Sequence, residues 1–207
     1  MNVHIADNHE IIIQGISKIL KQYKIPVVGT SNNGFETLQW LKYHTCDVLI
    51  LDVSMPLCNG IDVLKKLYKE NNKQKVLMLS AYDDLCIVKQ SIRFGAQGYV
   101  LKTDLPIHII NGLREVQAGN TYYSESILDA IIQAQEELKK EQKLRATLSK
   151  RERGILELIT DEKTNKEISQ TLNVSLSTIR TYTMRMREKL DVKSNIGLVK
   201  LFLNSKK

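Results

Sequence analysis

The sequence predicts a parallel-sheet α/β domain followed by a small all-helical domain, on three observations. Short β-branched runs alternate with amphipathic stretches over the first 120 residues. The pattern after them is helical throughout. The charge also divides: residues 1–143 hold 16 Lys and Arg against 16 Asp and Glu, and residues 144–207 hold 14 against 7. The whole net charge of +7 therefore lies in the last third. A basic excess confined to one domain points to a polyanionic partner, with nucleic acid ahead of a membrane surface.

The strand runs are Val3–Ala6, Val27–Thr30, Val48–Leu51, Val76–Leu79 and Tyr99–Leu101. Helical stretches alternate with them over roughly 9–22, 33–43, 60–70, 84–93 and 105–118. In the first of these, Ile12, Ile16, Ile19 and Leu20 keep one face apolar at helical spacing. Five βα units in a row imply a five-stranded parallel sheet, and right-handed crossovers place helices on both of its faces. Ligand chemistry in such a sheet belongs at the carboxyl ends of the strands, near the point where strand order reverses.

With 207 residues there is length for two domains, each with its own core, and three prolines leave little room for long disordered stretches. No apolar run approaches the ~20 residues of a membrane span. The start runs straight into a strand pattern without the features of a secretory leader. Cys46, Cys58 and Cys86 are odd in number and form no CxxC pair, so buried thiols in a reducing cytoplasm are expected rather than a disulfide or zinc framework.

Domain boundaries are expected at 1–122 and 147–207, with a helical connector over 123–146. The connector carries a narrow apolar stripe, Ile127, Ile131, Ala134 and Leu138, suited to a dimer seam or to a face docked on either domain. Beyond it, Ser149-Lys150-Arg151-Glu152 and Thr164-Asn165-Lys166-Glu167 both fit the capping box that starts a helix. Asn173 suits a left-handed helix end and Ser175 the next N-cap. A long helix over about 176–189 and a short one from near Ser194 complete a four-helix unit.

Asp7 follows the first strand run and Asp52 the third, so both carboxylates are expected in one shallow pocket at the strand ends. Two carboxylates repel unless a cation lies between them, which implies a hard divalent ion such as Mg²⁺. Asp52 is then a nucleophile toward a phosphoryl donor. Ser80 and Lys102, at the ends of the fourth and fifth strand runs, supply the hydroxyl and ammonium that a bound phosphoryl group needs. Each has a plainer reading alone: Asp7 as a helix cap, Ser80 as a loop hydroxyl, Lys102 as a surface lysine. A carboxylate straight after Val48-Leu49-Ile50-Leu51 is harder to dismiss, because burying it is costly without a partner.

The segments Ile5-Ala6-Asp7-Asn8-His9, Leu49-Ile50-Leu51-Asp52-Val53-Ser54-Met55-Pro56, Leu79-Ser80-Ala81 and Gly98-Tyr99-Val100-Leu101-Lys102 resemble the flavodoxin-like receiver domains of two-component response regulators. The resemblance implies that Asp52 accepts a phosphoryl group from a sensor histidine kinase, with the backbone carbonyl of Ser54 joining Asp7 and Asp52 around Mg²⁺. It also implies a two-state switch in which the Ser80 hydroxyl moves toward the phosphoryl group and Tyr99 swings inward. The plainer reading of Tyr99 is an amphipathic aromatic at a sheet edge. Asn8 stands where the family usually carries a second, metal-ligating acid. An amide oxygen can still coordinate Mg²⁺ with less charge, and Asn8 is the residue on which the alternative rests: a DNA-binding regulator that works without phosphorylation.

Residues 148–203 resemble the helix-turn-helix domain of the LuxR/NarL/FixJ group, on Leu148-Ser149-Lys150-Arg151-Glu152, Asn165-Lys166-Glu167-Ile168, Leu172-Asn173-Val174-Ser175, Ser177-Thr178-Ile179-Arg180-Thr181 and Lys189-Leu190-Asp191-Val192. The resemblance implies double-stranded DNA as partner and a homodimer on adjacent half-sites. Ser177, Thr178, Arg180, Thr181 and Arg185 then face base edges, Arg180 being the first choice for guanine. Asn165, Lys166, Ser175 and Tyr182 are placed against phosphates, although Ser175 also suits a cap alone. Glu162 replaces a glycine usual in the group, at a cost of ~1 kcal/mol if that position is left-handed. The chain is not expected to be an enzyme: it has no P-loop, HExxH or nucleophile-elbow motif. An aspartyl-phosphate phosphatase would need an acid where Ser54 stands, and a non-DNA-binding adaptor would lack steep salt dependence.

Overall fold

The computed structural model describes residues 1–104 and 106–204. Leu105, at the head of the expected fifth helix, and the last three residues of the second expected domain lie outside the described residues. The chain divides into two compact units, Met1–Gln135 and Glu136–Lys207, and the division falls inside the segment expected to be the connector.

In the first unit, strands β1 (Val3–Ala6), β2 (Val27–Ser31), β3 (Val48–Asp52), β4 (Val76–Ser80), β5 (Gly98–Leu101) and β6 (Tyr122–Tyr123) form one sheet in the order β2-β1-β3-β4-β5-β6. Every pairing is parallel. Helices α1 (Glu10–Gln22), α2 (Gly34–Tyr43), α3 (Gly60–Lys69), α4 (Leu85–Arg93) and α5 (Pro106–Ala118) join the first five strands and lead on to the sixth. All five residues of β3 and all five of β4 are buried, as central strands covered on both faces must be. Side chains alternate across the sheet, so Leu49 and Leu51 enter one core layer with Leu64, Leu67 and Val88, while Val48 and Ile50 enter another with Ile16, Leu20, Ile110 and Leu113.

The sixth strand is an addition to the five expected. It has two residues, below the length at which a strand pattern can be read, and it pairs Tyr99 with Tyr123. A 3-10 turn (Glu125–Ile127) and helix α6 (Leu128–Thr147) follow it. Ile127, Ile131 and Ala134 are buried in the same core layer as Tyr99 and Val88. Of the roles open to this stripe, its first three residues therefore belong to the core of the first unit.

His4 illustrates how tightly the edge of this sheet is built. It is fully buried in β1, its Nε2 lies 2.8 Å from the Ser31 hydroxyl, and its ring packs 4.2 Å from Trp40, which stacks on His44 at 4.9 Å. Gly29 makes this possible, since a Cβ there would meet Trp40 Nε1 at 2.7 Å and His4 Nδ1 at 2.8 Å. Burial, with His44 adding to it, lowers the His4 pKa from 6.5 to about 4. Because the folded pKa lies below the unfolded one, its contribution is intact above pH 6.5 and is lost as pH falls toward 4. The shift corresponds to about 3 kcal/mol of stability at most. Urea midpoints measured from pH 7.5 to 4 should therefore fall less steeply for His4→Gln than for the parent; parallel curves would contradict this.

The second unit contains α7 (Lys150–Thr160), α8 (Asn165–Thr171), α9 (Leu176–Lys189) and α10 (Asn195–Asn204). Both capping boxes are present, with Ser149 and Thr164 as caps and Glu152 and Glu167 returning the bond. Ser175 caps α9 by accepting the Thr178 amide at 3.1 Å. Asn173 has φ of 50° and Glu162 of 60°, so the missing glycine does leave a side chain in the left-handed region. Ile155, Leu156, Ile168, Ile179, Met186 and Leu198 form the centre of its core. Burial pushes the Glu152 carboxyl up, but Lys189, 2.8 Å from both its oxygens, and Ser149 outweigh it and hold the group below the usual carboxylate range. Among the described residues, no helix is long and apolar enough to cross a membrane.

Candidate phosphoacceptor pocket and nucleic-acid interface

Parallel register brings the pocket together. Ala6 pairs with Leu51, so Asp7 and Asp52 stand side by side one step further, at the point where β2 and β3 leave β1 in opposite directions. Ser80 pairs with Leu101, which places Lys102 directly beyond it, and the Lys102 amide donates to the Ser80 carbonyl at 2.6 Å. The Lys102 ammonium lies 2.6 Å from Asp7 Oδ2 and 3.1 Å from Asp52 Oδ1. Three of the expected residues, Asp7, Asp52 and Lys102, are thus in direct contact.

Both carboxylates are almost wholly buried, Asp7 at 0% and Asp52 at 1% exposure. Apart from Lys102, 3.1 Å from Oδ1, and the Ser54 amide, no group among the described residues partners the oxygens of Asp52. Burial, and then the negative charge of Asp7, push the Asp52 carboxyl up, while Lys102 and the Ser54 amide oppose them. A buried carboxylate left in this condition is short of positive charge, and one ammonium shared between two acids does not supply it fully. A hard divalent cation fits the remaining need: the donors are carboxylate oxygens, and one ligand atom from each of Asp7, His9 and Asp52 lies within 4.8 Å of the others.

The residues beside these acids add a contact that was not expected. Asn8 is exposed. His9 faces the acid: its Nδ1 lies 3.0 Å from Asp7 Oδ1, and its backbone N–H donates to the same oxygen at 2.8 Å. The signal was present in the sequence as a histidine two residues after Asp7, but nothing in the spacing says which of two neighbours at a strand-to-helix turn faces the acid. The Ser54 side chain is exposed.

Ser80 is fully buried, and its hydroxyl accepts the Tyr82 amide at 3.0 Å. Tyr99 is 1% exposed, with its hydroxyl donating to the Tyr82 carbonyl at 3.0 Å. Burial raises the Tyr99 phenol to about 12, against a hydrogen bond with Ser80. Tyr99 is therefore a buried residue covered by β6, not an aromatic on a bare sheet edge. Ser80 and Tyr99 meet through one short segment, the turn that opens α4.

Asp104 went unnoticed in the sequence. It accepts the Leu101 amide at 2.8 Å and the Ser126 hydroxyl at 2.7 Å. Burial pushes its carboxyl up, but the bonds from Ser124, Ser126 and Leu101 prevail and hold it down. The turn bearing Lys102 is thereby tied to the segment leading into α6. No sequence pattern marks a tie that spans 22 residues.

In the second unit, α9 buries Ile179, Thr183 and Met186 and exposes Ser177, Arg180, Thr181, Met184 and Arg185 on other faces. The hydroxyls of Ser177 and Thr178 each lie 2.7 Å from that of Ser175, and Thr181 donates to the Ser177 carbonyl at 3.0 Å. These hydroxyls are engaged in building the helix start. Arg180 and Arg185 are exposed, with no acid paired to either among the described residues. Tyr182 is half-buried against the core, and Asn165 and exposed Lys166 open α8. Polar groups of two helix starts and two unpaired arginines are a donor-rich surface suited to phosphates and base edges.

Comparison with known proteins gives a consistent picture. Residues 3–114 match the family described as response regulator receiver domain, and residues 146–202 match bacterial regulatory proteins of the luxR family. The chain is 31% identical to the response regulator UvrY of Escherichia coli K12, over 97% of this chain and 93% of that protein. It is 34% identical to the oxygen regulatory protein NreC of Staphylococcus carnosus, over 100% and 98%. Among solved structures it resembles RcsB of Salmonella enterica serovar Typhimurium bound to promoter P1flhDC in the presence of phosphomimetic BeF3⁻. That match has a TM-score of 0.59 and 28% identity, and covers 100% of this chain and 99% of that one.

Proposed function

Since the chain belongs to the two-component response regulators of the NarL/FixJ type, which join a receiver domain to a luxR-type helix-turn-helix domain, we propose that it regulates transcription by binding operator DNA as a homodimer when a sensor histidine kinase phosphorylates Asp52. The observation that carries the Asp52 assignment is its buried carboxylate at the carboxyl end of β3, crowded against Asp7 and sharing the single Lys102 ammonium with it.

In the transfer, a carboxylate oxygen of Asp52 attacks the phosphorus of the kinase's phosphohistidine. An O–P bond forms, the P–N bond breaks, and the imidazole takes a proton as it leaves, so the chain gains a mixed anhydride. Asp7 and Asp52 would hold Mg²⁺, with the Ser54 carbonyl as a further oxygen donor, and that ion supplies charge neutralisation for the phosphoryl oxygens when bound. Lys102, already on both acids, follows the new negative charge and pairs with a phosphoryl oxygen. Ser80 donates its hydroxyl to another, giving up the Tyr82 amide. Tyr99 shares the Tyr82 segment and adjusts with it, which repacks the α4–β5 face and with it the buried start of α6.

In the second unit, α9 enters the major groove, where Arg180 reads guanine and Ser177, Thr178, Thr181 and Arg185 complete the base-facing surface. Asn165, Lys166, Ser175 and Tyr182 contact phosphates, Ser175 in addition to its capping bond. Reading of the alternative, regulation without phosphate, rests on Asn8 alone.

The reading is tested by fluorescence anisotropy of the full-length protein on promoter DNA, at several salt concentrations, with and without beryllofluoride. Expected are a steep fall in affinity with salt and tighter, dimeric binding with beryllofluoride in the parent but not in Asp52→Asn. Equal affinity in both states, with the salt dependence intact, would favour the phosphate-independent alternative.

A further inference from the structure

We infer that Asp104 is a positioning residue for phosphoryl transfer: its carboxylate closes the turn that carries Lys102 and fixes where the ammonium meets the two acids and the incoming phosphoryl group. The inference deepens the reading of Asp52 as phosphoacceptor and rests on it.

Two bonds of opposite direction join Leu101 and Asp104. The Asp104 amide donates to the Leu101 carbonyl at 3.0 Å, and the Leu101 amide donates to Asp104 Oδ2 at 2.8 Å. Lys102 and Thr103 are the residues enclosed between them. On its other side the turn is held to β4, where the Lys102 amide donates to the Ser80 carbonyl at 2.6 Å. The carboxylate is needed because β6 is short. Its last pairing is Tyr99 with Tyr123, and the Ser124 amide makes the last bond from that side, to the Tyr99 carbonyl at 3.3 Å. Amide direction alternates along a strand, so the Leu101 amide points to the same side as that of Tyr99 and lies one step beyond the ladder. Asp104 supplies the acceptor that the sheet does not. Its second oxygen, Oδ1, accepts the Ser126 hydroxyl at 2.7 Å, which fixes the carboxylate itself.

A lysine depends on such anchoring. Its stem is flexible, and its ammonium is a point charge without the built-in geometry of a guanidinium. The position of its backbone therefore decides which oxygens it reaches. Here the ammonium lies 2.6 Å from Asp7 and 3.1 Å from Asp52, on a side chain 13% exposed. A turn free to open would let it swing to solvent or settle on Asp7 alone. Either outcome leaves the phosphoryl oxygens without a preorganised countercharge.

The test is a double-mutant cycle on the full-length protein, read as single-turnover phosphoryl uptake from acetyl phosphate with Mg²⁺. Asp104→Ala should slow uptake about 10-fold, within the scale set by displacing a reacting group by an ångström. In a Lys102→Met background the same change should slow it by less than about 2-fold, since an effect exerted through Lys102 has nothing left to act on. Asp104→Asn should recover most of the rate, because an amide oxygen accepts the Leu101 amide and its nitrogen donates to the Ser126 hydroxyl. Affinity for beryllofluoride, followed by fluorine magnetic resonance, should show the same pattern and covers a Lys102→Met protein too slow to time. Equal slowing by Asp104→Ala in both backgrounds would overturn the inference and leave Asp52 as phosphoacceptor. So would a parent-like rate accompanied only by a lower melting temperature. Uptake by Asp52→Asn equal to that of the parent would remove the reading on which the inference rests.

Discussion

Arg180→Ala should weaken binding to a duplex selected by the parent protein from a random pool by about 5- to 150-fold, the range that ~1–3 kcal/mol per bidentate arginine–guanine pair implies. The loss should be confined to selected sequences, with binding to unrelated duplex changed far less. Arg180 is singled out because it is exposed near the start of α9, carries the fork that pairs with guanine, and has no acid paired to it among the described residues, whereas the hydroxyls of Ser177, Thr178 and Thr181 also hold bonds within α9 or to its cap. Lys166→Ala supplies the contrast. A lysine on phosphate should lower affinity for all sequences alike and reduce the salt slope by about one charge. Competition binding on the selected and unrelated duplexes separates the two patterns. Uniform weakening by Arg180→Ala would make Arg180 a backbone contact and remove it from sequence readout.

Gly60→Ala is the second large effect, and it acts on the other unit. A Cβ at Gly60 would stand 2.2 Å from the Asp52 carbonyl oxygen and 3.2 Å from Leu51 Cγ. The obstruction is backbone, so no side-chain rotation relieves it. Either the first turn of α3 or the end of β3 must move, and the Gly60 amide is also bonded to the Val53 carbonyl at 3.0 Å. Relief therefore displaces Asp52 from Asp7 and Lys102. A loss of about 1–3 kcal/mol of stability is expected from the overpacking. Phosphoryl uptake should slow by as much as about 100-fold, because displacement of a reacting group by an ångström is felt on that scale. Gly15→Ala is the matched control: it lies in α1 of the same unit with nothing within 4 Å of its Cβ. That change should raise stability by roughly 0.5–1 kcal/mol and leave uptake unaltered. Thermal melts and single-turnover uptake on the two variants decide the matter, and equal behaviour would show that the contact at Gly60 yields without moving Asp52.

Asp7, Asp52 and Lys102 were legible together because a parallel ladder aligns strand ends. A hydrophobic run that stops at a polar residue marks the same edge in each strand, and the chemistry collects there. The two capping boxes of the second unit were legible for a different reason, since their bonds stay within four residues. The contact of His9 with Asp7 was not legible, because which neighbour faces the acid depends on the dihedral angles of one turn. The sixth strand fell below the length of any pattern. The stripe Ile127, Ile131 and Ala134 declared an apolar face without its partner, which only the packed core supplies. Asp104 is tied to a hydroxyl 22 residues away and Gly60 is crowded by the backbone of β3, and neither kind of contact leaves a mark in composition or spacing.

The central claim is that Asp52 carries the phosphoryl group, and intact-mass spectrometry tests it most directly. The full-length protein is incubated with Mg²⁺ and a small phosphodonor beside Asp52→Asn and a receiver known to react. The account predicts that the parent gains one phosphoryl group and that Asp52→Asn gains none. No gain by the folded parent while the control receiver reacts, or equal gain by parent and variant, would contradict it.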